Sequence, residues 1–201
     1  MLRAVYAKME ADSVKMSIFA GLLSSDMEPV QKDSFKQRME SHLLELCTSA
    51  GLLDGTLLSS PDTQDAWTRY APAYFGDAVK EFNEYPEFTL ACAGFLGMAV
   101  AHLWDKDWQA YENVPFSFFY GPRGFDDMDD HICLSILGEQ EKSVEVMQEM
   151  SANAYHFLLK ESPEPGTAEA YRMFLAAAEA MFGIGAAIEL FRLGYRYHEE
   201  A

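Results

Sequence analysis

The densest concentration of chemistry-bearing side chains in this sequence is Gly124-Phe125-Asp126-Asp127-Met128-Asp129-Asp130-His131. On a helix, Asp126 and Asp130 share a face, while Asp127 lies three residues from Asp130 and four from His131. Carboxylates so spaced suit a hard cation, which makes Asp126, Asp127 and Asp130 candidate ligands for a Mg²⁺ that keeps several waters. The same letters have a plainer use. They follow Gly121-Pro122-Arg123-Gly124, where a helix should begin, and acidic side chains in a first turn satisfy exposed amides and the positive helix end.

Immediately upstream, Val114-Pro115-Phe116-Ser117-Phe118-Phe119-Tyr120-Gly121-Pro122-Arg123-Gly124-Phe125 carries five aromatics with two prolines and two glycines. Aromatics at this density line ligand mouths or anchor interfaces, and Arg123 is suited to a carboxylate or phosphate. Phe116, Phe118, Phe119, Tyr120, Arg123 and His131 are therefore the candidate binding residues. The leading expectation is a non-enzymatic helical module that binds a protein, a peptide or a second copy of itself through this loop and the acidic helix start at 126–131. That expectation requires at least two of Phe116, Phe118, Phe119 and Tyr120 to face solvent; the plainer alternative is that they lid the ends of the central helices. A second reading makes the chain a Mg²⁺-dependent hydrolase or lyase on a phosphorylated small molecule, with Arg123 on the anion.

Two resemblances attach to the same residues. Asp126-Asp127-Met128-Asp129-Asp130 is similar to the D-D-x-x-D motif of isoprenoid synthases over five residues, which implies Mg²⁺-diphosphate chemistry in an all-helical fold. Asp129-Asp130-His131-Ile132 resembles the short D-H-[IL] stretch of the TorD/DmsD redox-enzyme maturation chaperones, which are acidic, all-helical and of similar length. That resemblance implies recognition of a partner enzyme's signal peptide.

Other titratable groups carry less. Glu179 lies among alanines and should be paired within the bundle, because a lone buried charge is costly. No Glu-x-x-His occurs, so a ferritin-like di-iron site is excluded. Glu189 and Arg192 read as an ordinary i, i+3 surface pair, and His102 with Asp105 as a histidine oriented by a carboxylate or simply satisfied in the core. There is no nucleophile elbow, P-loop or Gly-x-Gly-x-x-Gly. Cys47, Cys92 and Cys133 sit in apolar helical patterns without ligand spacing, as buried thiols of a reducing, cytoplasmic compartment would.

The chain has 201 residues, 15 basic and 32 acidic, for a net charge of −17. This excess repels nucleic acid and anionic membrane surfaces and favours a basic protein, a peptide or a cation as partner. Lys8, Glu10, Asp12 and Lys15 interrupt any apolar leader, so no secretory signal is expected.

The elements that must position these groups are helices in a single domain of about seven, spanning residues 1–201. Apolar periodicity predicts helices over 3–24, 33–50 (capped by Asp33), 62–85 (interrupted near Ala71-Pro72), 86–110, 125–138, 139–161 and 167–197. Ser162-Pro163-Glu164-Pro165-Gly166 is the clearest linker. Residues 88–104 lack charge and 173–191 contain only Glu179 and Glu189, and both read as core helices rather than membrane spans. Small residues recur at Ala93, Gly97 and Ala101 and at Ala176, Ala180, Gly183 and Ala187. The two apolar helices, 86–110 and 167–197, should therefore approach closely at the centre.

Overall fold

Prolines and side-chain caps set most helix starts. In α2 (Pro61–Phe82), the Ser60 side chain accepts from the Thr63 amide at 3.2 Å while Thr63 Oγ1 accepts from the Ser60 amide at 3.2 Å, a reciprocal capping box. Pro86 occupies the first turn of α3 (Pro86–Tyr111), and Thr167 caps α6 (Ala168–Arg192) by accepting from the Ala170 amide at 3.2 Å. The remaining helices are α1 (Pro29–Ser49), the short α4 (Met128–His131) and α5 (Glu141–Lys160). A computed structural model describes residues 29–138 and 141–196. Among them the fold is all-α, with six helices, 3₁₀ turns at Phe116–Phe119 and Phe125–Asp127, and no strand. The helix expected over 3–24 lies outside the described residues.

Several boundaries differ from expectation, each for a local reason. α1 already runs from Pro29, so Asp33 lies inside it. Pro72 does not interrupt α2: it is exposed, and the Thr68 carbonyl it leaves unbonded is on an exposed residue. α3 contains one residue outside helical geometry, Asp107, whose side chain accepts from the Ala110 amide at 3.3 Å and so caps a fresh final turn. The helix expected over 125–138 is instead a 3₁₀ turn, α4 and a π turn at Ile132–Ile136, ending at Gly138 with φ +78°. α6 stops at Arg192, five residues short of 197. Tyr195 donates to the Leu190 carbonyl at 3.0 Å and Gly194 to that of Phe191 at 3.1 Å around Gly194 at φ +100°, a Schellman terminator that needs glycine.

α3 and α6 form the centre, as the small residues required, and the other helices pack around them. Each is long and apolar enough to cross a membrane, and each has 78% of its apolar window buried inside the bundle. The contact register is more specific than the spacing indicated. A β-carbon on Gly97 would overlap the Phe182 carbonyl, and one on Gly185 would overlap the Gly94 carbonyl, whereas Gly183 faces open space. Gly97 and Gly185 therefore set the distance between α3 and α6, while Gly94 makes room for Met147 of α5.

Candidate functional site

The aromatic segment 114–125 folds inward. Phe116 and Phe119 are buried and Phe118 and Tyr120 half-buried, so none of the four is among the exposed large apolar residues. Phe118 and Tyr120 keep part of their surface open to solvent, while Phe116 and Phe119 do not. The rings lie against α2 and the end of α3: Tyr70 stands 5.2 Å from Phe119 and 6.2 Å from Phe116 between centroids, and Tyr111 stands 6.1 Å from Phe118. Tyr70 also donates its hydroxyl to the Val114 carbonyl at 3.2 Å. Burial of this much ring surface outweighs any tendency of the loop to present it to water.

The next residues make a tight, fully bonded turn. Gly121 and Gly124 exchange amide hydrogen bonds at 3.1 and 3.0 Å, and Gly124 adopts φ +82°. A side chain at Gly121 would collide with Asp127. Arg123 binds Asp127 three times: its amide donates to Oδ2 at 3.0 Å, its Nε to Oδ1 at 2.7 Å, and its Nη2 also to Oδ1. These bonds hold the Asp127 carboxyl below the usual carboxylate range and raise the already high Arg123 value. Phe125 is buried, with its ring 5.8 Å from that of Tyr74 and 6.1 Å from that of Phe88, which pins the turn to α2 and α3.

Between this turn and α2 lies an open cleft of about 290 Å³. Asp77, Lys80 and Glu81 supply the α2 wall, and Tyr120, Arg123, Gly124, Phe125 and Asp126 the other. The Tyr120 hydroxyl crosses the cleft to donate to Asp77 Oδ2 at 2.5 Å. Burial, and then the Asp77 carboxylate that accepts its proton, raise the phenol well above its ordinary range.

The candidate residues are thus divided. Tyr120, Arg123 and Asp126 line the cleft; Asp127 braces Arg123 from behind; Asp130 is exposed and His131 half-buried, and neither lines the cleft. Among the described residues no three His, Cys, Asp or Glu side chains are gathered so as to hold a metal ion. Asp126, Asp127 and Asp130 accordingly do not converge as the Mg²⁺ expectation requires, because Asp127 is committed to Arg123. Burial raises the carboxyl of Asp129, the fourth acid of the run.

Sequence reasoning missed the α2 wall. Asp77, Lys80 and Glu81 stand at i, i+3 and i+4, a spacing that marks one helix face but is shared by ordinary solvated faces. It also misplaced Glu189, which is 0% exposed. Glu189 accepts from Arg192 Nε at 2.6 Å and Nη2 at 2.5 Å, and meets His102 Nδ1 at 2.8 Å. Glu189 is therefore a buried carboxylate that joins exposed Arg192 on its own helix to His102 of α3, and Glu189, not Asp105, is the carboxylate that orients His102. Asp105 instead accepts from the Tyr195 hydroxyl at 2.8 Å. Glu179, in contrast, is paired as expected, with Lys36 of α1 at 2.6 Å.

No known protein family, curated protein or solved structure matches this chain.

Proposed function

We propose that the chain is a non-catalytic helical module that binds a protein or peptide segment in the cleft between α2 and the 120–126 turn. One observation carries this reading: the cleft is walled by an internally bonded turn, yet the side chains of Lys80, Glu81 and Asp126 on its walls make no ion pair or hydrogen bond among the described residues. Charged groups held on a bonded frame without partners are prepared for a partner from outside. The aromatics that the sequence offered as anchors act as the frame. With a net charge of −17, the chain attracts a basic segment from a distance.

A peptide-display selection against the full chain tests this. Peptides retained by the wild type should be lost on Glu81→Lys and Asp126→Lys, both charge reversals of groups outside the core. Selection of nothing, or of peptides bound equally by both variants, would remove the reading.

A second reading names the class of peptide. Asp130-His131-Ile132, the stretch that resembles the maturation chaperones, begins one turn along the chain from Asp126, although none of the three lines the cleft and Ile132 is buried. On this reading the segment is a twin-arginine signal peptide, and replacing its arginine pair by glutamine should abolish binding.

A further inference from the structure

We infer that the cleft receives the last residue of a peptide chain, a C-terminal lysine or arginine, with its α-carboxylate on Lys80 and Arg123 and its side-chain cation on Glu81 and Asp126. The inference rests on the peptide-binding reading and narrows it.

Its basis is that each wall of the cleft carries both signs. On α2, Lys80 and Glu81 are adjacent; across from them, Arg123 and Asp126 project from the same turn. The side chains of Lys80, Glu81 and Asp126 are unpaired among the described residues. Arg123 gives only Nε and Nη2 to Asp127, which leaves Nη1 without a partner. With Arg123 braced by Asp127 and Asp77 accepting from Tyr120, the lining still presents Lys80 and the free Nη1 edge of Arg123 beside Glu81 and Asp126, and such a mixed lining disfavours a ligand of a single sign. A purely cationic group would meet Lys80 and Arg123, and a purely anionic one Glu81 and Asp126.

Size narrows the choice. At about 290 Å³ the cleft is at the lower end of ligand-pocket volumes, enough for one residue and too small to enclose a large cofactor. A C-terminal basic residue carries both charges on that scale. Its methylene stem would lie along the Tyr120 ring, which the hydrogen bond to Asp77 holds in place.

Calorimetric titration of the full chain with Gly-Ser-Gly-Ser-Arg tests the inference. The free acid should bind at least about tenfold more tightly than its C-terminal amide, and than the free acid ending in alanine, as expected when a charge-assisted contact is lost. Lys80→Ala should erase the preference for acid over amide, and Lys80→Arg should keep it. Glu81→Gln and Asp126→Asn should erase the preference for arginine over alanine. Equal binding of acid and amide, or free L-arginine binding as tightly as the peptide, would overturn the inference. The broader reading fails separately: display-selected peptides that bind whatever their C-terminal residue would leave it standing and remove this one, whereas no selected peptide at all would remove both.

Discussion

Single residues in this fold are set apart by depth, which spacing does not encode. Arg123–Asp127 and Glu189–Arg192 are both short-range helix-type pairs in sequence, but the side chains of Arg123 and Asp127 are 73% and 11% exposed against 41% and 0% for Arg192 and Glu189. At the more exposed pair the consequence is a titration. The folded Asp127 carboxyl should titrate below the ordinary aspartate range, held down by its bonds to Arg123. Because its folded value is depressed, its stabilising contribution is complete above the unfolded value and is lost as pH falls through the folded one. Carboxyl carbon NMR should show the low midpoint in the wild type and its return to the ordinary range in Arg123→Ala; an unchanged midpoint would contradict the bonding described. At the deeper pair the consequence is an asymmetry. Arg192→Ala leaves the buried carboxylate with His102 alone and should cost about 2 kcal/mol, whereas Glu189→Gln keeps the shape, removes the charge and should cost about 1 kcal/mol. Urea midpoints at constant m would decide it, and an equal or reversed order would refute this pairing. The cluster at 126–131 was legible as a place of interest, because acids after a Gly-Pro-Arg-Gly turn are conspicuous. Which acid turns inward was not, since that depends on Arg123 folding back onto Asp127.

At the scale of elements, local chemistry predicted starts better than stops. Pro86, and the threonine ahead of α6, announce their helices through geometry and hydrogen bonding that a few residues determine. Gly194 was passed over because the apolar stripe continues to its edge, although its positive φ is what closes α6. The pairing of α3 with α6 was legible from small residues recurring near helical spacing; its register was not, because every small position on a ridge looks alike until the neighbouring backbone is placed. Substitution separates the positions that the spacing could not. Gly97→Ala and Gly185→Ala put a β-carbon against backbone carbonyl atoms that cannot yield without moving a helix, and each should cost about 1–3 kcal/mol or more. Gly183→Ala and Gly76→Ala meet nothing within 4 Å, and each should stabilise by up to about 1 kcal/mol through helix propensity alone. Thermal denaturation of the four variants checks this. A destabilised Gly183→Ala, or a neutral Gly185→Ala, would place the helix contact elsewhere.

The described residues form an apolar helix pair wrapped by more polar helices, and the three thiols sit in different layers of that arrangement. Cys92 is fully buried in central α3, Cys47 lies on α1 with Sγ 3.4 Å from Met150 Sδ of α5, and Cys133 is itself part of the π turn, with 5% exposure. Burial pushes Cys47 up to about 11, Cys133 up to about 12 and Cys92 well above its ordinary value, so almost no thiolate exists at neutral pH. The native chain should therefore resist a disulfide reagent at pH 8, and any labelling must follow opening of the structure. The order of labelling reports how the wrapping comes apart. Cys133 needs only the π turn to lift; Cys47 needs α1 to separate from α5; Cys92 needs α3 to leave α6, which amounts to global unfolding. Mass-spectrometric counting of modified cysteines in rising urea below the midpoint should find Cys133 first and Cys92 last. Simultaneous modification of all three would mean that the bundle opens as one cooperative unit, and early modification of Cys92 would contradict the central position of α3.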